Sequence, residues 1–226
     1  MVQSMRKTKI KKFINCLVAV FFITFGFSAS AQIPGLPQIP GMGGSKSSPA
    51  VDLKAGKNEL VKTFFVSFDN YAQALDLLSQ SLGLDAESKK IQQALKDSKN
   101  TNTSEADRLS NSIKATSEVS KGIEAKLKVG TLKLEAGAKE KYAKAIPPTV
   151  KGLLGTLELR PKSQQMVAGI SANPMQAAQD LGPLSTAIPE VPNYISTIIS
   201  VTKLIVTGAE ANNIDTKELK SSLGKF

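Results

Sequence analysis

The sequence has no histidine and no tryptophan, and its one cysteine is Cys16. Without an imidazole, neither a Ser-His-Asp nor a Cys-His catalytic group can form. A zinc site of the usual Cys/His type lacks its ligands for the same reason. The sequence also has no Walker A loop, GxGxxG motif, EF-hand loop or HExxH motif. We therefore predict no catalytic, metal-binding or cofactor-binding residue, and no cofactor.

The rest of the composition is typical of a chain that can fold. Of 226 residues, 41% are hydrophobic and 21% are charged. These fractions lie in the range of globular proteins, and they supply enough apolar side chains for a core.

Residues 1–31 have the three parts of a secretory signal peptide. Five basic residues and no acid occur in the first twelve positions, and an apolar stretch of 15 residues runs from Phe13 to Phe27. Small residues, Ala29-Ser30-Ala31, follow this stretch. An uncleaved anchor needs about 20 apolar residues to cross a bilayer, and this stretch is shorter. We predict cleavage between Ala31 and Gln32.

Cleavage changes what the charge implies about partners. It removes five of the 29 basic residues and none of the 19 acids, so the net charge falls from +10 to +5. A moderate charge on an exported protein argues against nucleic acid as a partner. An exported chain without cysteine is held together by its core alone, which fits a bacterial periplasm or outer surface. We therefore predict a periplasmic or secreted protein.

Residues 32–50 form a proline- and glycine-rich linker. The segment from Gln32 to Pro49 contains Pro34, Pro37 and Pro40 among several glycines. Such a composition sustains neither a helix nor a central strand. We predict a flexible linker between the signal peptide and a folded region, residues 51–226.

A phenylalanine-rich helix begins the folded region. Apolar residues recur every three or four positions from Leu60 to Leu82, and Gly83 is placed to end the helix. Phe64, Phe65 and Phe68 lie within this pattern. We predict that they belong to the core, and we keep an aromatic ligand box as the alternative.

Two further helices are predicted before residue 135. A short one begins near Asp85, with Ile91 and Leu95 facing inward. A longer one opens at Ser104, whose spacing to Asp107 is typical of an N-terminal cap. Its seam continues through Gly122 and Gly130 to Leu134, and the glycines predict a close helix contact or a bend.

The segment from Lys114 to Lys144 is rich in lysine. Its eight lysines are Lys114, Lys121, Lys126, Lys128, Lys133, Lys139, Lys141 and Lys144. Three glutamates precede a lysine by four positions, in the pairs Glu124/Lys128, Glu135/Lys139 and Glu140/Lys144. Such pairs stabilise a solvent-exposed helix face, which is the interpretation we favour. An anionic surface, such as phospholipid headgroups or lipopolysaccharide, is the alternative partner.

The character of the sequence changes at Pro147-Pro148, which we expect to break the chain into separate helices. From Ser163 to Thr202, the charged residues are Asp180 and Glu190 alone, so we expect this low-charge part to be mostly core. Apolar residues from Val191 to Ile205 recur at helical spacing, although many are β-branched and also permit a strand. A short helix from Asp215, ended by Gly224, closes the chain.

Two sets of residues match sequence patterns of catalytic groups. Ser200-Val201-Thr202-Lys203 matches the S-x-x-K pattern of penicillin-binding enzymes, but the serine falls inside a helix and no K-T-G motif follows. Among carboxylates, we expect Asp69 and Asp76 to be solvated, and Glu158 to be partly buried near Arg160.

We predict an all-α, single-domain bundle of about five to seven helices after the signal peptide and linker. The expected function is that of an exported, non-enzymatic binding or scaffold protein of the cell envelope, with an unidentified protein or envelope partner. The first alternative is a membrane-active or pore-forming protein that inserts residues 150–206. A hydrolase with a Ser-Lys pair is the second.

Overall fold

The computed structural model describes residues 52–129 and 132–226, and this part of the chain is all-α, as predicted. The predicted signal peptide and linker lie outside the described residues. These residues form seven helices of seven or more residues. A single α-helical turn and one 3₁₀ turn lie between the fifth and the sixth of these helices. The helices are α1 Leu53–Ser81, α2 Asp85–Ser98, α3 Glu105–Lys128, α4 Ala136–Ala172, α5 Pro174–Leu181, the single turn α6 Leu184–Ala187, α7 Val191–Ala211 and α8 Lys217–Leu223.

Helix α1 carries the predicted phenylalanine-rich stripe into the core. The side chain of Asp52 caps its N-terminus by accepting hydrogen bonds from the backbone N–H groups of Lys54 and Ala55, both at 3.1 Å. Gly83 ends it with a φ of 68°, a conformation that glycine adopts without strain. Phe64 and Phe68 are fully buried and stack at 6.1 Å between ring centroids. Their role is therefore packing, as we expected, and Phe65 is partly buried against the same core.

The Ser104 cap of α3 is also confirmed, because its Oγ accepts a hydrogen bond from the Asp107 N–H at 3.1 Å. Gly122 gives the predicted close contact, since a Cβ there would lie 2.9 Å from Cγ of Glu87 on α2. The predicted seam extends too far, however. Helix α3 ends at Lys128, so Leu134 is not part of it, and Gly130 lies outside the described residues.

The expected break at Pro147-Pro148 is wrong. Helix α4 runs for 37 residues through Pro147, Pro148 and Pro161. A proline inside a helix costs about 3 kcal/mol, because it removes a hydrogen bond and crowds the preceding turn. Buried residues on both sides of the pair, among them Tyr142, Ile146 and Leu153, offset that cost by packing into the core.

The contact between α1 and α4 is unusually close. A Cβ on Gly152 would lie 2.8 Å from Cβ of Tyr71, and one on Gly155 would lie 2.8 Å from Cβ of Ser67. The Ser67 hydroxyl donates a hydrogen bond to the Gly152 carbonyl at 3.0 Å. Glycine at these two positions therefore lets the two backbones approach each other.

Helix α7 resolves the ambiguity between helix and strand in favour of a helix. All five residues of the predicted seam are buried. They are Val191, Ile195, Ile198, Thr202 and Ile205. Buried apolar side chains of α7 belong to the same connected core cluster as those of α1, α3 and α4.

The low-charge part of the chain is core only in its second half, on α6 and α7, which corrects our expectation for the first half. Between residues 164 and 183, buried positions are limited to Met166, Ala177 and Leu181. The other positions carry chiefly glutamine, serine, alanine and glycine, which tolerate water without being charged. A scarcity of charge therefore does not imply burial here.

Candidate functional site

The lysine-rich segment lies on α3, on the start of α4 and on the connection between them. Among the described residues, two of its eight lysines form ion pairs, Lys128 with Glu124 at 2.5 Å and Lys144 with Glu140 at 2.6 Å. The third predicted pair does not form, because Glu135 precedes α4 as its N-cap residue, where it is not on the helix face. The lysine-rich segment therefore has fewer ion pairs than the spacing of the sequence suggested.

Ion pairs lower the pKa values of two glutamates in this segment. A hydrogen bond and charge attraction from Lys90, whose Nζ is 2.7 Å from Glu118 Oε2, hold the pKa of Glu118 below its usual value. Lys144 lowers the pKa of Glu140 in the same way. Both glutamates remain ionised at neutral pH, and each compensates one lysine.

We expected Asp69 and Asp76 to be solvated, but both side chains instead join α1 to other parts of the chain. Asp76 Oδ1 accepts hydrogen bonds from Ser88 Oγ at 2.5 Å and from Gln92 Nε2 at 3.0 Å, both on α2. Asp69 pairs with Lys99, just after α2, at 2.7 Å. Their arrangement holds two helices together and gives no sign of acid–base chemistry.

Glu158 is exposed, which corrects the expectation that it is partly buried near Arg160. Arg160 instead reaches the end of the chain, where its Nη1 donates to the Phe226 carbonyl at 3.3 Å. The two side chains are two positions apart on α4 and point in different directions, as the helix geometry requires.

The structure does not bring Ser200 and Lys203 into one site. Ser200 lines a hollow between α3 and α7, with Ser120 and Glu124 on its other side. Lys203 lines a separate hollow between α4, α7 and α8. A serine nucleophile needs its base within hydrogen-bonding reach, and no such bond joins these two side chains in the described part of the chain.

Three buried tyrosines are the most perturbed titratable groups. Burial raises the pKa of Tyr71, Tyr142 and Tyr194 far above the ordinary value of 10.0. The Tyr142 hydroxyl donates to the Ile205 carbonyl at 2.9 Å, and the ring of Tyr194 lies 4.9 Å from that of Phe64. These tyrosines are fully buried and connect α1, α4 and α7.

The hollow between α4, α7 and α8, which we call the C-terminal hollow, has about 400 Å³ of volume. Ile195, Ile199, Leu223, Phe226 and Pro192 form its apolar part. Its polar part consists of Arg160, Lys203, Ser163, Gln164 and Ser196. Sequence reasoning missed it because its residues come from three helices, although Lys203 and Arg160 were each noted for other reasons.

Asn212 makes a long-range contact that the sequence did not reveal. Its side-chain amide donates to the Leu132 carbonyl at 2.8 Å, and its Oδ1 accepts from the Leu134 N–H at 2.8 Å. It therefore anchors the segment before α4 to the end of α7. A lone asparagine after a helix gives no sequence signal for a contact so distant.

Within residues 52–129 and 132–226, no three acidic, histidine or cysteine side chains come together as a set that could hold a metal ion. The helices in the same ranges include none with the length and hydropathy needed to span a membrane. No protein-family model matches this sequence, and comparison with curated proteins and with solved structures gives no match either.

Proposed function

We propose that this protein is exported and acts as a non-enzymatic binding or scaffold protein of the cell envelope. The N-terminal sequence pattern supports export. The observation that best supports a binding role is the lysine-rich segment from Lys114 to Lys144, where six of eight lysines form no ion pair within the described residues.

Export is tested directly by fractionating cells that produce the full chain. We expect the protein in the periplasm or the medium, with Gln32 as its first residue by N-terminal sequencing. A chain that begins at Gln32 after an added methionine should stay in the cytoplasm. If the full chain is found uncleaved in the cytoplasm, the export proposal fails.

An anionic envelope surface is the partner that this basic surface fits best. Lys114, Lys121 and Lys126 are exposed along α3, and the exposed Val129 lies just beyond its end. A lysine close to an anionic membrane contributes about 1 kcal/mol, and the attraction falls off within a Debye length. The exposed apolar side chain at the helix end would add to contact with a headgroup layer.

Co-sedimentation with vesicles tests this partner. We expect binding to vesicles that contain phosphatidylglycerol, loss of binding at high salt, and no binding to phosphatidylcholine alone. Replacing Lys121 and Lys126 with glutamate should abolish binding. The matched control replaces Lys89 and Lys96, two exposed lysines of α2, with glutamate and gives the same change in net charge. If both double variants lose vesicle binding equally, the loss reflects net charge alone, and the proposed binding surface is wrong.

A membrane-active role for residues 150–206 is the second candidate. It is favoured by the contact of α7 with α3, where Ser120 buries a hydroxyl group that has no hydrogen-bond partner among the described residues. Such a contact loses little when it opens. The purified protein should then release dye entrapped in anionic vesicles, and absence of release at saturating protein would exclude this role.

A further inference from the structure

The C-terminal hollow combines two cationic groups with an apolar lining. Arg160 on α4 and Lys203 on α7 are exposed, and none of the ten lining residues is an aspartate or glutamate. One guanidinium N–H of Arg160 is taken by the Phe226 carbonyl at 3.3 Å. Within residues 52–129 and 132–226, the other donors of the guanidinium group and the Lys203 ammonium have no side-chain partner, so they can bind an anion.

Five of the ten residues that line the hollow are apolar. Ile195 is 4% exposed, and Ile199, Leu223 and Phe226 are half-buried around the opening. A volume of about 400 Å³ is within the usual range for small-molecule sites, which are largely apolar with a few polar groups that set orientation. The Ser163 hydroxyl, which also lines the hollow, donates to the Arg160 carbonyl at 2.9 Å.

We infer that the C-terminal hollow binds a small amphipathic anion, of the class of a medium-chain carboxylate. The head group would lie between Arg160 and Lys203, where charge complementarity favours an anion over a neutral group. The hydrocarbon chain would cover Ile195, Ile199 and Leu223, and its transfer from water drives binding. This inference does not depend on the proposed envelope surface, because the hollow and the lysines of α3 share no residue.

Fluorescence titration can follow binding because the chain contains no tryptophan. Gln164 lines the hollow and is exposed, so Gln164→Trp places a single reporter at its edge. Octanoate should change the reporter's emission with saturation. A reporter at exposed Gln179 on α5, outside the hollow, should not respond. Calorimetric titration of the unsubstituted protein repeats the measurement in case the new indole itself fills the hollow.

Two ligand comparisons separate the head group from the chain. Octanol has the same chain without the charge, and butyrate has the charge with little chain. We expect both to bind at least about tenfold more weakly than octanoate, since each lacks one of the two contributions. Octanol binding as tightly as octanoate would show that the cations play no part, and it would overturn the inference.

Substitution of the cations completes the test. Arg160→Gln and Lys203→Gln should each weaken octanoate binding about fivefold to tenfold, because each removes a charge-assisted hydrogen bond. Lys151→Gln is the matched control, since Lys151 is an exposed lysine of α4 that does not line the hollow. The inference is wrong if this control weakens binding as much as either substitution, or if neither titration shows saturable binding.

Discussion

The contacts that α1 makes with α4 and that α3 makes with α7 use similar small polar residues with opposite results. Between α1 and α4, the buried Ser67 hydroxyl bonds to the Gly152 carbonyl, and glycines bring the backbones together. Between α3 and α7, Ser120 lines a hollow beside Ser196 and Ser200. The Ser120 hydroxyl is buried and has no hydrogen-bond partner in the described part of the chain, and the same is true of Thr116 one turn before it on α3.

The difference shows that the same residue types can either complete a contact or weaken it. A buried hydroxyl with a partner contributes about 1 kcal/mol, whereas one without a partner costs about 1–3 kcal/mol of desolvation. We therefore expect that separating α3 from α7 requires less free energy than separating α1 from α4. The pH change and the substitutions described next alter one of these contacts or both.

Alkali should break both contacts together, because buried tyrosines of α1, α4 and α7 connect them. Folded-state pKa values above the ordinary 10.0 mean that stability is fully present below pH 10 and is lost as pH rises beyond it. Each tyrosine should remove about 1.4 kcal/mol per pH unit above pH 10. Denaturant unfolding followed by circular dichroism, with tyrosinate absorbance recorded in parallel, measures this loss.

The same titration has a built-in control at lower pH. With no histidine in the sequence, stability should stay flat from about pH 6 to about pH 9. Tyrosinate that appears before the helical signal is lost would mean that these hydroxyl groups ionise in the folded state, contrary to their burial.

Gly152→Leu should disrupt the first contact alone. The new side chain would meet the Tyr71 backbone, whose N and Cα lie 3.0 Å from a Cβ at this position. We expect a loss of about 3 kcal/mol in unfolding free energy, because backbone cannot move aside as a flexible side chain can. Gly137→Ala, where a Cβ meets nothing within 4 Å, is the control and should raise stability by about 0.5 kcal/mol.

Ser67→Ala should cost about 1 kcal/mol, since it removes the hydrogen bond to the Gly152 carbonyl and leaves the packing of α1 and α4 otherwise unchanged. Chemical denaturation measures this loss of stability, provided that the variant and the unsubstituted protein have the same m-value. No change in stability would indicate that the bond contributes nothing and that close packing alone makes the first contact strong.

Thr116→Val and Ser120→Ala should have the smallest effects, and they should be of opposite sign to that of Ser67→Ala. Each removes a buried hydroxyl without a protein partner, so we expect a gain of up to about 1 kcal/mol. The same denaturation experiment applies. A loss comparable with that of Ser67→Ala would show that these hydroxyls are satisfied after all, and the contrast between the two contacts would disappear.

Local signals in the sequence predicted much of the fold. The Ser104 cap, the stop at Gly83 and the seam of α7 each depend on residues within a few turns of one another, and all three are present in the structure. The course of α4 through Pro147-Pro148 was not predictable in this way. Its stability depends on partners far away in the chain, as the 85 positions between Ser67 and Gly152 illustrate.

The candidate sites follow the same division. Lysine content identified the basic surface, but the failure of Glu135 to pair with Lys139 required knowledge of where α4 begins. The C-terminal hollow joins Arg160, Lys203 and Leu223 from three helices, and nothing in their spacing brings them together. Sites built within one helix can be read from the sequence, whereas sites built between helices need the structure.

The unbroken course of α4 has a consequence for biosynthesis. A nascent chain grows from its N-terminus, so the phenylalanine stripe of α1 is made well before the residues that cover it, with 85 positions separating Ser67 from its partner Gly152. A truncation at Pro148 would leave α4 without Gly152 and Leu153. Until translation passes that point, the growing polypeptide carries an uncovered apolar surface of the kind that chaperones recognise.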